Sequence, residues 1–271
     1  MRTDKERPIG VFDSGIGGLT VLREITRLLP SENTIYLGDT ARVPYGNKSK
    51  DTVARYSLEI ADFLVRKGVK MIVVACNTAS AFGLAELRKK LAIPVIGVIE
   101  PGAKAAVKAT RSNKVGVIGT EGTIKSSAYV SAIKTLNPDI TTNTAACPLF
   151  VPLAEEGWID NEVTTAVAKR YLTGLMNLSI DTLVLGCTHY PVLKETISMV
   201  VGPSVTLIDS AASTAEETKT TLADKGILND NKTAGGHFFY VTDSPERFVA
   251  VGRRFFGERL EGVEITHLDT L

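Results

Sequence analysis

Met71-Ile72-Val73-Val74-Ala75-Cys76-Asn77-Thr78 and Thr182-Leu183-Val184-Leu185-Gly186-Cys187-Thr188-His189 read as two copies of one pattern. Each is a short apolar run that leads into a cysteine and then at once into hydrogen-bonding side chains. A strand buried on both faces has this signature where it ends at a functional edge. In open parallel sheets the ligand crevice lies at the carboxyl ends of the strands, so two such sheets folded face to face aim both thiols at one ligand.

Upstream of the first copy, Pro8 to Phe12 predicts a strand, and Asp13-Ser14-Gly15-Ile16-Gly17-Gly18 a tight loop feeding a helix that stops near Pro30. The loop is not a dinucleotide fingerprint, because Thr20 stands where a third glycine belongs, and no Gly-Lys-Ser/Thr follows to make a Walker loop. Thr34 to Leu37 predicts a second strand, followed by the polar loop from Gly38 to Asn47. Ser49 is placed to cap a helix whose Val53, Tyr56, Ile60, Phe63 and Leu64 share one face and which Gly68 ends. The first cysteine strand, a helix from about Thr78 to Leu91 and a strand from Pro94 to Val98 continue the alternation, which implies a mostly parallel sheet with helices on both faces.

The pattern then restarts. Lys114 to Ile118 predicts a strand, Gly119-Thr120-Glu121-Gly122-Thr123 a second polar glycine loop, and a helix runs to about Leu136. Loop and cysteine strand recur in the same order at a similar separation, which suggests a duplicated half. After the second cysteine strand come a helix from about Tyr190, a strand near Val205 to Ile208, and a helix opened by Asp209-Ser210-Ala211. The tail carries a strand at His237 to Val241, a helix from Pro245 and a strand near Val263 to Thr266. It has no counterpart in the middle section and is expected to return to the first domain. The fold class is therefore α/β, with two similar open, mostly parallel-sheet domains related by pseudo-twofold symmetry and the active site between them. The expected division is 1–98 plus 210–271 for a discontinuous first domain and 99–209 for the second.

A chain of 271 residues suits two domains. With 31 basic against 30 acidic residues, a formal charge of +1 gives no reason for nucleic acid as a main partner. The three cysteines, at 76, 147 and 187, are too few and wrongly spaced for a disulfide framework, which points to a reducing compartment. The charged start Met1 to Pro8 is unlike a secretory signal, and no apolar run approaches the roughly 20 residues of a membrane span. A cytoplasmic location is expected.

Cysteine is among the most buried residue types, so an inert core side chain is the simplest reading of any one of the three, and Cys147 keeps it. Cys76 and Cys187 differ by position: both sit where a strand ends and a helix begins, and a helix N-terminus lowers a thiol's pKa. His189 shares a loop with Cys187, where it can tune the thiol or relay a proton. Asp13 reads as exposed at the first strand's end, as cap, turn or functional carboxylate. Glu155 and Glu156 stand before Gly157, and for at least one of them a solvated carboxylate suffices.

Zinc wants about four matched ligands, and a Cys-x-His pair with distant singles is a poor set. A cysteine hydrolase leaves the second thiol idle. Pyridoxal phosphate needs a Schiff-base lysine, and none stands at a strand end beside either glycine loop. A binding protein that merely closes on an amino acid gives no reason for paired cysteines. Two unlinked thiols facing one another suit the removal of a proton from one face of a carbon and its return to the other, which is racemisation.

The chain resembles the glutamate racemases of the cofactor-independent aspartate/glutamate racemase superfamily. The resemblance rests on Pro8 to Gly18, on Tyr36 to Gly46, on Ala75-Cys76-Asn77-Thr78-Ala79-Ser80, on Cys147 to Leu153, and on Gly186-Cys187-Thr188-His189-Tyr190-Pro191. It implies interconversion of L- and D-glutamate with no cofactor and no metal, supplying D-glutamate for peptidoglycan in a homodimeric enzyme. It further implies that Cys76 acts on the D enantiomer with help from Asp13, and Cys187 on the L enantiomer with help from His189 and Glu155. Glu155 is preferred over Glu156 because it follows Pro152-Leu153-Ala154, the family's Pro-Leu-x. Asp13, Ser14, Tyr45, Gly46, Asn77, Thr78, Thr120, Thr123, Thr188 and His189 would bind the substrate. An aspartate or hydantoin racemase is the nearest rival, separable by assaying D-aspartate beside D-glutamate.

Overall fold

The computed structural model describes residues 3–258 and 260–268; residues 1–2, 259 and 269–271, which the expected domain limits include, lie outside the described residues. The chain opens with β1 (Ile9–Asp13), α1 (Leu19–Leu28), β2 (Thr34–Gly38), α2 (Lys50–Arg66), β3 (Met71–Val74), α3 (Asn77–Lys90) and β4 (Val95–Gly97). Every residue of these four strands is buried, as continuous apolar runs require of a sheet covered on both faces. Ser49 caps α2 by accepting the Thr52 N–H at 3.3 Å, a contact that typically stabilises by about 1 kcal/mol.

The middle section holds α4 (Ile99–Ala109), β5 (Lys114–Gly119), α5 (Glu121–Lys125), α6 (Ala128–Leu136), β6 (Thr141–Ala146), α7 (Phe150–Glu156), α8 (Glu162–Met176), β7 (Thr182–Gly186), α9 (Lys194–Val201) and β8 (Thr206–Asp209). Then follow α10 (Ser210–Asp224), β9 (His237–Val241), α11 (Pro245–Phe256) and β10 (Val263–Ile265). The sequence anticipates one helix up to Leu136; the chain breaks it, because Ser127 turns left-handed at φ 56° between α5 and α6. A 3-10 turn, Tyr190–Leu193, likewise precedes α9, where a helix starting at Tyr190 is expected.

All strand pairs are parallel. One sheet runs β10-β9-β2-β1-β3-β4 and the other β6-β5-β7-β8. The order β2-β1-β3-β4 is thus repeated as β6-β5-β7-β8, the relation a pseudo-twofold requires. The tail strands β9 and β10 extend the first sheet beyond β2. In each sheet the chain leaves the first strand to one side and returns on the other, so the ends of β1 and β3, and of β5 and β7, form the switch points at which ligands bind. The largest apolar cluster is shared, with Val11, Leu22 and Tyr36 from the first half and Leu172, Leu183 and Leu193 from the second. No described helix is long and apolar enough to cross a membrane.

Candidate active site

Because β1 and β3 are neighbours in register, Phe12 against Val74, Asp13 one residue beyond Phe12 and Cys76 two beyond Val74 emerge close together. Asp13, expected to be exposed, is fully buried under the glycine loop and the opposite lobe. Its carboxylate accepts the Gly15 N–H at 3.0 Å and the Thr188 hydroxyl at 3.4 Å. Burial raises its pKa above the usual aspartate value, although the charge of His189 and the loop N–H groups oppose that.

Cys76 is the N-cap of α3, where its sulfur accepts the Ala79 N–H at 3.4 Å and its S–H donates to Ser14 Oγ at 3.7 Å. The expectation that a helix N-terminus lowers this thiol's pKa does not hold. Burial first, and the nearby Asp13 charge second, outweigh the N–H and the hydroxyl and push the thiol up to about 12. At neutral pH Cys76 therefore carries its proton.

The second half is built differently. An α-helix begins only at Lys194, after the 3-10 turn, so no cap comparable to that of α3 follows Cys187. The neighbour of its sulfur is instead His189 Nδ1, at 3.9 Å, while His189 Nε2 lies 3.0 Å from Glu155 Oε1. Burial of the imidazole disfavours its charge, but the hydrogen bonds to Cys187 and Glu155 prevail and push its pKa up to about 10. Glu155 is also held back by burial, yet His189 and Arg247 together draw it below the usual glutamate value. Glu156, beside it, has a side chain 64% exposed and does not reach the histidine. Cys147 is buried, and its thiol is pushed up to about 12 by burial, as an inert core sulfur should be.

Both thiols line one narrow cavity between the sheets, together with Ser14, Tyr45, Gly46, Asn77, Thr78, Thr120, Thr188 and His189. The remaining expected site residues stand one hydrogen bond behind its wall: Asp13 behind Thr188, Glu155 behind His189, and Thr123 behind Thr78 and Thr120. Thr78 Oγ1 is 2.9 Å from Thr120 Oγ1 and 3.2 Å from Thr123 Oγ1, so three hydroxyls meet across the lobes. Asn77, which lines the cavity, accepts the Tyr129 hydroxyl at 2.8 Å, and its buried Nδ2 has no partner among the described residues. Tyr45 lines the cavity with its phenol donated to Asp39, so that proton is not available to a ligand.

Two glycines permit this closeness. A Cβ on Gly17 would lie 2.3 Å from Thr188 Oγ1 and 2.4 Å from His189 Nδ1, and one on Gly46 would lie 2.6 Å from Thr120 Cβ. Sequence reasoning missed the role of Tyr36, whose hydroxyl fixes the glycine loop through Gly15 O at 2.8 Å, because a tyrosine within a buried strand reads as core, and it missed Tyr129, which adjoins no motif. It also missed the Asp39–Arg42–Glu59 network behind Tyr45, although Asp39 and Arg42 sit three apart in a polar loop and could have been paired by inspection.

Paired thiols at matched strand ends, each with its own set of polar neighbours, make the cavity between the two parallel sheets the candidate active site of this α/β protein. Residues 9–218 match the Asp/Glu/Hydantoin racemase family, and the chain belongs to it: this is an amino-acid racemase, an isomerase. It is 58% identical over 257 residues to the glutamate racemase of Geobacter metallireducens, covering 95% of each chain. The crystal structure of Francisella tularensis glutamate racemase in complex with D-glutamate superposes with a TM-score of 0.92 at 41% identity, covering 98% of this chain and 100% of that one. The Escherichia coli glutamate racemase bound to L-glutamate and an activator follows at TM-score 0.80 and 31% identity, covering 97% and 99%.

Proposed function

We propose that the protein interconverts L- and D-glutamate by a two-base exchange between Cys187 and Cys76 without a cofactor. The observation that carries this reading is that the two thiols, delivered by equivalent strands of two matched sheets, line a single cavity. The choice of glutamate is supported by the relatives whose structures hold its D and L forms.

For the L enantiomer, Cys187 as thiolate takes the α-hydrogen, forming S–H as the C–H bond breaks, while Cys76 gives its own proton to the opposite face. The D enantiomer runs the same steps in reverse. The thiol form of Cys76 and the protonated imidazole beside Cys187 suit the first direction at rest. An α-hydrogen next to a carboxylate is a very weak acid, so donors must meet the charge that builds on that carboxylate. Asn77 Nδ2, the hydroxyls of Ser14, Thr78 and Thr120, and the N–H groups of Asn77 and Thr78 at the start of α3 supply them, with Thr123 behind Thr78 and Thr120. Closure of the lobes excludes water and strengthens each of these contacts.

In this reading 1–98 with 210–271 form one lobe and 99–209 the other, supported by the return of β9 and β10 to the first sheet. The enzyme works in the cytoplasm as a homodimer and supplies D-glutamate for peptidoglycan. The test is Cys76→Ser and Cys187→Ser, each expected to lower racemisation about a thousandfold or more while circular dichroism stays unchanged. In heavy water the product should carry deuterium at Cα. Unlabelled product, or near-normal turnover by either variant, would remove the two-base mechanism, and faster formation of D-aspartate than of D-glutamate would remove the substrate.

A further inference from the structure

We propose that Arg247 is a positioning residue: its guanidinium fixes the Glu155 carboxylate in the orientation that keeps His189 aimed at Cys187, so that α11 of one lobe sets up the cysteine of the other. This rests on the reading of Glu155 and His189 as helpers of Cys187.

Glu155 lies in the last turn of α7 with its side chain 19% exposed, and the partners of its carboxylate come from outside that helix. Its two oxygens are divided. Oε1 is 3.0 Å from the buried imidazole, and Oε2 accepts from Arg247 Nη2 at 3.3 Å. The same helix as Arg247, α11, makes two further contacts. Arg254, seven residues on, donates to the Glu155 carbonyl at the end of α7, where helical carbonyls lack partners and cations are favoured. Gly157, left-handed at φ +76°, lies so close that a Cβ there would be 2.9 Å from the Arg254 guanidinium carbon. Phe255 meets the His189 ring edge-on at 5.3 Å between centroids. One helix thus holds the carboxylate, the backbone beneath it and the imidazole beyond it.

Taken alone, a guanidinium 60% exposed and also 4.0 Å from Glu156 is a surface ion pair of little consequence. What changes its weight is that the other oxygen of the same carboxylate orients a histidine only 5% exposed. The charged groups that face Glu155 are His189 from the turn after β7, Arg247 and Arg254 from α11, and Glu156 on its own helix.

The test is the pH profile of kcat/KM for Arg247→Ala, Arg247→Lys, Glu155→Gln and the Arg247→Ala/Glu155→Gln pair. One direction suffices, because enantiomers have equal free energy and any loss in kcat/KM is the same both ways. Arg247→Ala should lower kcat/KM about tenfold and move the acidic limb to higher pH, since the carboxylate loses a cation that keeps it ionised. Arg247→Lys should recover part of the rate, and Glu156→Gln should change nothing. In the Glu155→Gln background, removing Arg247 should cost less than about twofold more. An equal loss in both backgrounds, or an acidic limb that does not move, would overturn the proposal. Near-normal turnover by Glu155→Gln itself would be a different failure, that of the underlying role of Glu155, and would take the proposal with it.

Discussion

Desolvation alone would leave a buried histidine neutral at pH 7. In His189 the hydrogen bonds to Cys187 and Glu155 reverse that and raise its pKa from 6.5 to about 10. The sign of the linkage follows. A group whose folded pKa lies above its unfolded one contributes stability that is full below the unfolded value, here 6.5, and is lost as pH climbs through about 10. The stability gap between the parent protein and His189→Asn, read from urea midpoints, should therefore be widest near about pH 6 and should shrink by about pH 10. A gap that widens with pH would mean the imidazole is held neutral. Much of this cluster was legible in the sequence, because Cys187, Thr188 and His189 are contiguous and Glu155 follows Pro152-Leu153-Ala154. The burial of Asp13 and the raised pKa of Cys76 were not. Both depend on the opposing lobe and on enclosure, which a linear pattern does not record.

At the scale of the element, the loop from Gly38 to Asn47 carries Tyr45 and Gly46 to the cavity, and Arg42 holds it in shape. Its guanidinium reaches Asp39 at 2.7 Å through Nε and Glu59 through Nη1, and stacks on the Tyr56 ring at 3.9 Å. Both carboxylate side chains are fully buried. Removing the cation leaves two buried charges without their main partner, which typically costs about 3–5 kcal/mol, less here because Arg55 and the Tyr45 and Thr242 hydroxyls remain. Arg42→Ala should thus destabilise by about 2–3 kcal/mol in urea unfolding and raise KM as the loop loosens. Arg42→Lys should not restore both, because one ammonium cannot reproduce a fork split between two carboxylates. A variant with unchanged midpoint and KM would show that the network is idle.

The elements that sequence reasoning found are those with strong apolar runs, and the ones it passed over have faint or interrupted signals. In α4, Pro101 and Gly102 fall in the first turn and read as breakers, though proline is tolerated there. Strand β6, Thr141–Ala146, is partly exposed along its length at the sheet's edge and offers no apolar run. Helix α8 buries Thr164, Ala168, Leu172 and Leu175 at helical spacing, but half of that stripe is polar or small.

Across the whole molecule, repetition of strand order makes two independent lobes look natural, and chains of separate domains commonly unfold in separate steps. The packing argues otherwise. One apolar cluster includes Val11 of β1 and Leu22 of α1 together with Leu183 of β7 and Leu193 of the turn that follows it, and α10, which follows the last strand of the second sheet, packs on both α1 and α4. Thr20 Oγ1 also donates to Thr188 O at 3.1 Å, and the Gly17 backbone leaves no room for a side chain between itself and His189. Neither lobe can open its share of this core without exposing that of the other. Unfolding should therefore be a single transition. Trp158, the one tryptophan in the chain, reports on the second lobe by fluorescence, and far-UV circular dichroism reports on both. Their urea midpoints should coincide, and Leu22→Ala, made in the first lobe, should shift both by the same amount, in keeping with a loss of about 2–5 kcal/mol for a buried leucine. If the fluorescence midpoint stays in place while the dichroism splits into two steps, the lobes unfold separately, and the shared cluster does not couple them.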